Sequence, residues 1–409
     1  MNTGPEAHPS WTPDRRVTPY EWLYLAASPH FAPFAIQLRI ALARLPEQAV
    51  LEAAIQRAAS ANPGARLRVR GRRWHDSGIA PRLRLPGDAL PFSLAHPALH
   101  QRLGTQDAPF LEVLYWPGCG LIFRCSHALM DAAGLLLFAK DVFRVLRGAS
   151  PVGTACLASD HAYLKARAHP GRRPLLKADQ ASPLGPSTHS SRHFVQAQAT
   201  VPGQVIAASA RIAAFMASMC DGQPCRIMMP VDLRRKDATL QSTANLSNPL
   251  FLSLQESADW SRCYRDIITA LRRHDELRYA PLDGFIPMLP RALLGQTFDR
   301  YHARQVRRGA YLTSATLSHL GAVALSDFAT PQCTPDAVSL LPFNTPGTAL
   351  SVESIQHDHG LELSLSCPAA SGDGGRLDAF LMRLCAALSR PASGQPVQNG
   401  LGPPPLSLD

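Results

Sequence analysis

Lysine is nearly missing from this chain. Only four of the 41 basic residues are lysines, at Lys140, Lys165, Lys177 and Lys236; the rest are arginines. Charge of either sign is sparse, 18% of residues against 46% apolar, which excludes a disordered or fibrous protein. No run approaches about 18 uninterrupted apolar residues, so no membrane span is expected. Residues 1–16 form a polar, proline-rich leader without the apolar centre of a secretory signal, and a cytoplasmic location follows as the expectation. The nine cysteines include no CxxC pair, and an odd number argues against a complete disulfide framework. They read as small buried hydrophobes. Several chemistries are missing too. GxSxG, GxxxxGK[ST], a GxGxxG after a strand and HExxH are all absent, so a nucleophile elbow, a P-loop, a dinucleotide fold and a zincin site are not expected.

What is present is a net charge of +10 carried in short arginine clusters: Arg66, Arg68, Arg70, Arg72 and Arg73, then Arg172 with Arg173, Arg234 with Arg235, and Arg307 with Arg308. A coding bias toward arginine is the bland explanation. No aromatics interleave the clusters and no nucleic-acid module appears, so an acidic protein partner suits this surface better than DNA.

The pattern along the chain mixes helices and strands, an α/β (α+β) class. Helices are expected at 19–27, 46–61, up to 146 from the break at 126–127, 205–219, 260–273 and 376–390. Strands are expected at 34–41, near 67–69, at 111–116 and 121–125 around a Pro-Gly turn, near 193–198, at 226–231, 349–355 and 361–367. His357-Asp358-His359-Gly360 falls at the last of these turns. A metal site could be read there, but with no further ligands in view a solvated turn is expected. Residues 166–192 are rich in Pro, Gly, Ser, Arg and His with no apolar period. They serve as a linker between a first lobe, 17–165, and a second, 193–390. Residues 391–409 form a tail expected to be disordered.

One string stands between a strand and a helix: Ser126-His127-Ala128-Leu129-Met130-Asp131-Ala132-Ala133-Gly134. Such a junction holds a side chain rigidly and leaves it accessible. A histidine there can act as general base near neutral pH, and an aspartate four residues on can fix the loop. HxxxD alone recurs by chance, and a hydrogen-bonded packing histidine is the competing reading. The surroundings tip the balance. The order strand, SHxxxDA, apolar helix resembles the HHxxxDG core of the CoA-dependent acyltransferase superfamily. That superfamily includes the condensation domains of nonribosomal peptide synthetases, chloramphenicol acetyltransferase and the plant HxxxD acyltransferases. Asn62-Pro63-Gly64-Ala65-Arg66-Leu67-Arg68 followed by Trp74, Pro230-Val231-Asp232-Leu233-Arg234, the segment from Asn245 to Leu252, and Ser318-His319-Leu320-Gly321 are similar, in the same order, to segments of those relatives. The resemblance runs from residue 17 to about 390.

The resemblance implies two chloramphenicol-acetyltransferase-like lobes in a V with a tunnel between them. It implies transfer of an acyl group from a thioester to an amine or hydroxyl by a free-standing condensation enzyme of natural-product biosynthesis. His127 would be the catalytic base, and Asp131 would be structural, pairing with Arg234. Ser318 is a candidate hydroxyl for the oxyanion, and Ser126 a candidate tunnel-lining or oxyanion residue. No metal and no permanently bound cofactor are implied. The co-substrate would be a phosphopantetheine thioester on an acyl or peptidyl carrier protein, or on CoA. The acceptor would be a small amine or alcohol, with no nucleic acid and no membrane involved. A CoA-dependent O- or N-acyltransferase and a non-catalytic scaffold that docks carrier proteins are the alternatives. Two positions depart from the motif: Ser126 stands where relatives have the first histidine, and Ala132 where they have glycine.

Overall fold

The structure is a computed structural model. It describes residues 14–391 except 88–90, 106–107, 168–175, 192, 221, 238–239, 257–258 and 279. Most of the leader, Arg172, Arg173 and part of the expected linker, and the tail beyond residue 391 lie outside the described residues.

The first half carries β1 (Asp14–Arg16), α1 (Pro19–Ala27), β2 (Ala35–Leu42), α2 (Gln48–Ala61), β3 (Leu67–Arg70), β4 (Arg73–Asp76), β5 (Arg82–Arg84), α3 (Pro97–His100), β6 (Leu111–Trp116), β7 (Gly120–Ser126), α4 (Ala132–Leu146) and α5 (Asp160–Arg167). The second half carries β8 (Phe194–Pro202), α6 (Ala208–Ala217), β9 (Cys225–Asp232), β10 (Ser247–Leu254), α7 (Trp260–Arg272), α8 (Arg291–Arg308), β11 (Ala315–Ala322), β12 (Pro335–Leu340), β13 (Ser351–His357), β14 (Gly360–Pro368), α9 (Ala369–Gly372) and α10 (Arg376–Ser389). The mixed α/β class expected from the sequence is the class found. Among the described residues no helix is long and apolar enough to cross a membrane.

The described strands form three sheets: β1-β4-β3, a five-stranded sheet β12-β2-β7-β6-β5 and a six-stranded sheet β10-β9-β11-β13-β14-β8. In the five-stranded sheet a polar ladder fixes the register. Gln37, Arg124 and Glu112 stand opposite one another on β2, β7 and β6. Arg124, fully buried, donates to Gln37 Oε1 at 2.7 Å, to Glu112 Oε1 at 2.5 Å and to the carbonyls of Leu99 and Gln101. Burial still draws its pKa down to about 10. A one-residue slip would leave that guanidinium unpaired inside the sheet, so the pairing that places the end of β7 is strongly specified. Helices α2 and α4 cover the apolar face. Leu51, Ile55 and Ala58 of α2 pack in one core with Leu135, Phe138 and Val142 of α4. α1 begins in a capping box between Thr18 and Glu21, and Glu21 also pairs with Arg15 and accepts from the buried Trp74 Nε1 at 2.9 Å.

Two sequence expectations are corrected here. Helix α2 starts at Gln48, with Pro46 outside it and Glu47 at the cap. The His357–Gly360 turn is not simply solvated: His357 ends β13, is buried, and meets Glu362 at 3.1 Å, while Asp358 accepts the Leu325 N–H. The two halves also interlock. β12 leaves the second half to pair antiparallel with β2, Val338 opposite Ile40, as an edge strand of the first-half sheet. Val323, Leu325, Phe328 and Val338 pack in the first-half core. The break in composition at 166–192 therefore does not separate the sheets: a strand returns to the first sheet long after it.

Candidate active site

β7 is a central strand, and His127 is the first residue beyond its end. The chain turns there on a Leu129 N–H to Ser126 carbonyl bond of 2.8 Å. The His127 N–H donates to the carbonyl of Phe34 at 3.3 Å, and Phe34 holds φ = +39°, a left-handed conformation uncommon for a bulky residue. The imidazole stacks on Tyr24 with ring centroids 4.3 Å apart and planes 15° apart. Phe343 meets it edge-on at 5.2 Å. Nδ1 is buried and makes no hydrogen bond of good geometry. Burial in this aromatic setting pulls the His127 pKa below the ordinary histidine value, against the Asp131 charge and the nearby polar groups of Met130 and Asn245. The ring is therefore neutral at pH 7, the form a general base needs.

The loop after His127 is held by the second half. Asp131 caps α4, with Oδ1 accepting the Gly134 N–H at 2.8 Å, and its Oδ2 accepts the Leu246 N–H at 2.8 Å. Arg234 grips both carboxylate oxygens at 3.1 Å, and both side chains are more than nine-tenths buried. Arg234 is itself fixed by Asp232 at 2.8 Å and by the carbonyls of Ser242 and Ala244 at 2.8 and 2.6 Å. Asn245 Nδ2 donates to the carbonyls of His127 and Ala128 at 2.8 and 3.1 Å. Gly134 lies so close to this segment that a Cβ there would stand 2.2 Å from the Thr243 carbonyl oxygen. The glycine two positions beyond the motif's usual place thus lets the segment 243–246 lie against the start of α4.

His127 faces a cavity of about 1010 Å³ lined from both halves. That is the size of a site for a substantial small molecule, and its walls are mostly apolar: Leu136 and Leu137 from the first half, Met228, Phe251 and Ile267 from the second. The cavity reaches the second half because β9 and β11 pair over only two positions, Ala315 with Ile227 and Thr316 with Met228, before the register ends. Ser318 lines this cavity, as do Arg235, His319 and Glu353. Burial and the Arg235 charge bring the His319 pKa down to about 4, and its Nδ1 sits 3.0 Å from Ser354 Oγ, so it too is neutral at pH 7. Ser126, in contrast, borders a different, smaller cavity beside Leu25, Ser28 and Arg102 and does not line the central one. Ser126 is the last residue of β7 and His127 lies in the turn beyond it, and the two line different cavities. The structure thus brings His127, Asp131, Arg234 and Ser318 to one cavity and leaves Ser126 out. Sequence reasoning passed over Tyr24, Phe343 and Glu353, which have no motif around them. It gave no role to Asn245, although the similarity of 245–252 to a segment of relatives marked the place.

No protein-family model matches the chain, and no curated protein sequence matches it. Solved structures do match. The first condensation domain of the calcium-dependent antibiotic synthetase, in complex with a substrate analogue, superposes with a TM-score of 0.65 at 14% identity, covering 93% of this chain and 96% of that one. The condensation domain of the Monacolin K polyketide synthase MokA gives 0.62 at 10% identity over 92% and 97%. A variant of the starter condensation domain of rhizomide synthetase RzmA, in complex with C8-CoA and Leu-SNAC, gives 0.61 at 17% identity over 92% and 95%. The chain therefore has the fold of these condensation domains.

Proposed function

We propose that this protein is a condensation-type acyltransferase, moving an acyl group from a phosphopantetheine thioester to an amine or hydroxyl. The observation that carries the reading is a neutral, buried His127 at a central strand end, facing a cavity lined by both halves, on a loop clamped from the other half. In this reading His127 takes the proton of the attacking N–H or O–H as the nitrogen or oxygen bonds to the thioester carbonyl carbon. The carbonyl oxygen becomes an oxyanion, for which Ser318 is the candidate hydroxyl donor. Collapse breaks the C–S bond, and the imidazolium returns its proton to the leaving thiolate. Asp131 has a structural role: both of its oxygens are engaged by Arg234, Gly134 and Leu246. Ser126, outside the cavity, has no part in the chemistry.

The donor we favour is bound to an acyl or peptidyl carrier protein, because an acidic carrier would be steered by a chain of charge +10. A CoA thioester is the second reading, and the RzmA starter domain in complex with C8-CoA shows that this fold can hold one. The test offers one acyl group both ways, on CoA and on a carrier protein, with mixed amine and alcohol acceptors and His127→Ala in parallel. Intact-mass and product analysis should find transfer by the wild type and a rate loss of about a hundredfold or more in the variant. Transfer from CoA alone moves the donor to the second reading. Undiminished transfer by His127→Ala, or carrier binding with no transfer from either donor, overturns the catalytic reading and leaves a docking scaffold.

A further inference from the structure

One wall of the cavity carries polar side chains with nothing to bond. β11 and β13 run parallel, with Thr316 opposite Ser351 and Ser318 opposite Glu353. Their neighbours Leu317 and Val352 pack in the second-half core beneath α6 and α10, so strand alternation turns these four side chains toward the first half. Ile355, next on that face, packs in the first-half core. Thr316 Oγ1, Ser351 Oγ and Glu353 Oε2 are buried and lack a hydrogen-bond partner. Thr316, Ser318 and Glu353 line the cavity that His127 faces, and Glu353 is only 6% exposed. The carboxyl is linked to the reacting region, since the backbone of Phe343 bonds it and the Phe343 ring is the one set edge-on to His127.

Most other buried carboxylates face a cation or several donors; Asp160, whose pKa burial lifts to about 7, accepts the His161 N–H. Glu21 has Arg15, Glu112 has Arg124, Asp131 has Arg234 and Glu276 has Lys236. Asp141 takes Asn62 and two backbone N–H groups. Among the described residues Glu353 has no cation, and burial pushes its pKa well above the usual carboxylate range. A buried acid without a partner is costly, and such a cost in a cavity wall is offset when the ligand brings the partner. A primary ammonium brings three donors and no acceptor, which complements a carboxylate flanked by hydroxyl oxygens.

We propose that Glu353 selects the acceptor and that the acceptor is a primary amine, held between Glu353 and the hydroxyls of Thr316 and Ser318. The acceptor arrives as its ammonium, and the carboxylic acid releases its proton to solvent as the carboxylate–ammonium pair forms. Transfer of one ammonium proton to the carboxylate restores the acid and the free amine, whose N–H proton passes to His127 as nitrogen attacks. An alcohol can hydrogen-bond to the same wall but brings no positive charge to pair with the carboxylate. The use of the amine rests on the acyl-transfer reading above; its binding does not.

The experiment therefore reads binding. Hexylamine and 1-hexanol are titrated into the full chain at pH 7 by calorimetry, for wild type and Glu353→Gln. The protonated-carboxyl stretch is followed by infrared difference spectroscopy. Wild type should bind hexylamine about tenfold or more tighter than 1-hexanol, and Glu353→Gln should bring the two within about twofold. Net charge of +10 gives a cation no general attraction, so such a preference must be local. Hexylamine should bleach a carboxyl band that 1-hexanol leaves and that Glu353→Gln lacks. Equal binding by wild type, a preference that survives Glu353→Gln, or an unbleached band overturns the proposal. Glu353→Leu guards against a purely structural role: it should melt no lower than wild type, and a fall of several degrees would mean that the carboxyl holds the fold. Amine preference without acyl transfer would leave this inference standing and remove the acyltransferase; transfer without amine preference would do the reverse.

Discussion

Removing the Asp131 carboxylate should unsettle the fold and the site together. Asp131→Ala takes away the cap of α4, the acceptor for the Leu246 N–H and the bidentate partner of Arg234. A lost cap costs about 1 kcal/mol. Breaking a buried pair by removing one partner costs about 3–5 kcal/mol, because the other charge is left behind. Here Arg234 keeps Asp232 and two carbonyls, so a total of about 4 kcal/mol is reasonable. At about 2.1 cal/mol/K of unfolding entropy per residue over 409 residues, that is a fall in Tm of about 5 °C. Arg234→Met alone should cost less than Asp131→Ala, since Asp131 retains two backbone N–H donors. The double variant should be less destabilised than the sum of the singles, with a coupling of about 2 kcal/mol in urea unfolding. Turnover should fall in Asp131→Ala as well, since the loop carrying His127 loses its anchor. An Asp131→Ala protein that melts within about 1 °C of wild type, or a cycle with coupling below about 0.5 kcal/mol, would refute the reasoning.

Three further outcomes follow from the site. Because burial depresses the His127 pKa, the acid limb of kcat/KM for acyl transfer should lie below pH of about 6.5; a limb above 7 would show that the ring is not held neutral. The same depression has a sign for stability: nothing is lost above about pH 6.5, and stability falls as pH drops below it, because only the unfolded chain takes up that proton readily, so a His127→Gln protein should have the flatter profile. Gly134→Ala would stabilise an ordinary exposed helix, but here the added methyl meets the Thr243 carbonyl, so a loss of about 1–3 kcal/mol is expected in denaturant unfolding and a gain would contradict the packing.

Local pattern made much of the fold legible. The β6–β7 hairpin, α7 and the end of α4 have strong apolar periods or turn residues and lie within a residue or two of where the sequence put them, while α4 starts at Ala132, about five residues after the expected break. α8 has no such period. Its buried positions are Gly295, His302, Ala303, Gln305 and Val306, too small or too polar to mark a face, and Gly295 packs within reach of the Ala26 carbonyl. Sequence reasoning placed no strand at 335–340, and nothing local says that β12 pairs with β2 rather than with its own half.

The site divides in the same way. Sequence by itself determined the chemistry at hand: a histidine between a strand and a helix, an aspartate able to cap that helix, an arginine-rich chain with nine unpaired cysteines, and an order of segments similar to one acyltransferase fold. The resemblance already implied the pairing of Asp131 with Arg234, 103 positions apart, and the structure shows how it is made: the second half folds against α4. Tertiary structure alone decided which of the other groups face one another. Ser126 and His127 are adjacent, yet each lines a different cavity. In Ser351-Val352-Glu353-Ser354 the alternation reads as a strand with one wet face, so the glutamate would be solvated. The first half covers that face, and the glutamate becomes a buried acid beside the site. Periodicity fixes which residues share a face; whether water or another part of the chain covers it depends on contacts between distant segments, which no local window contains.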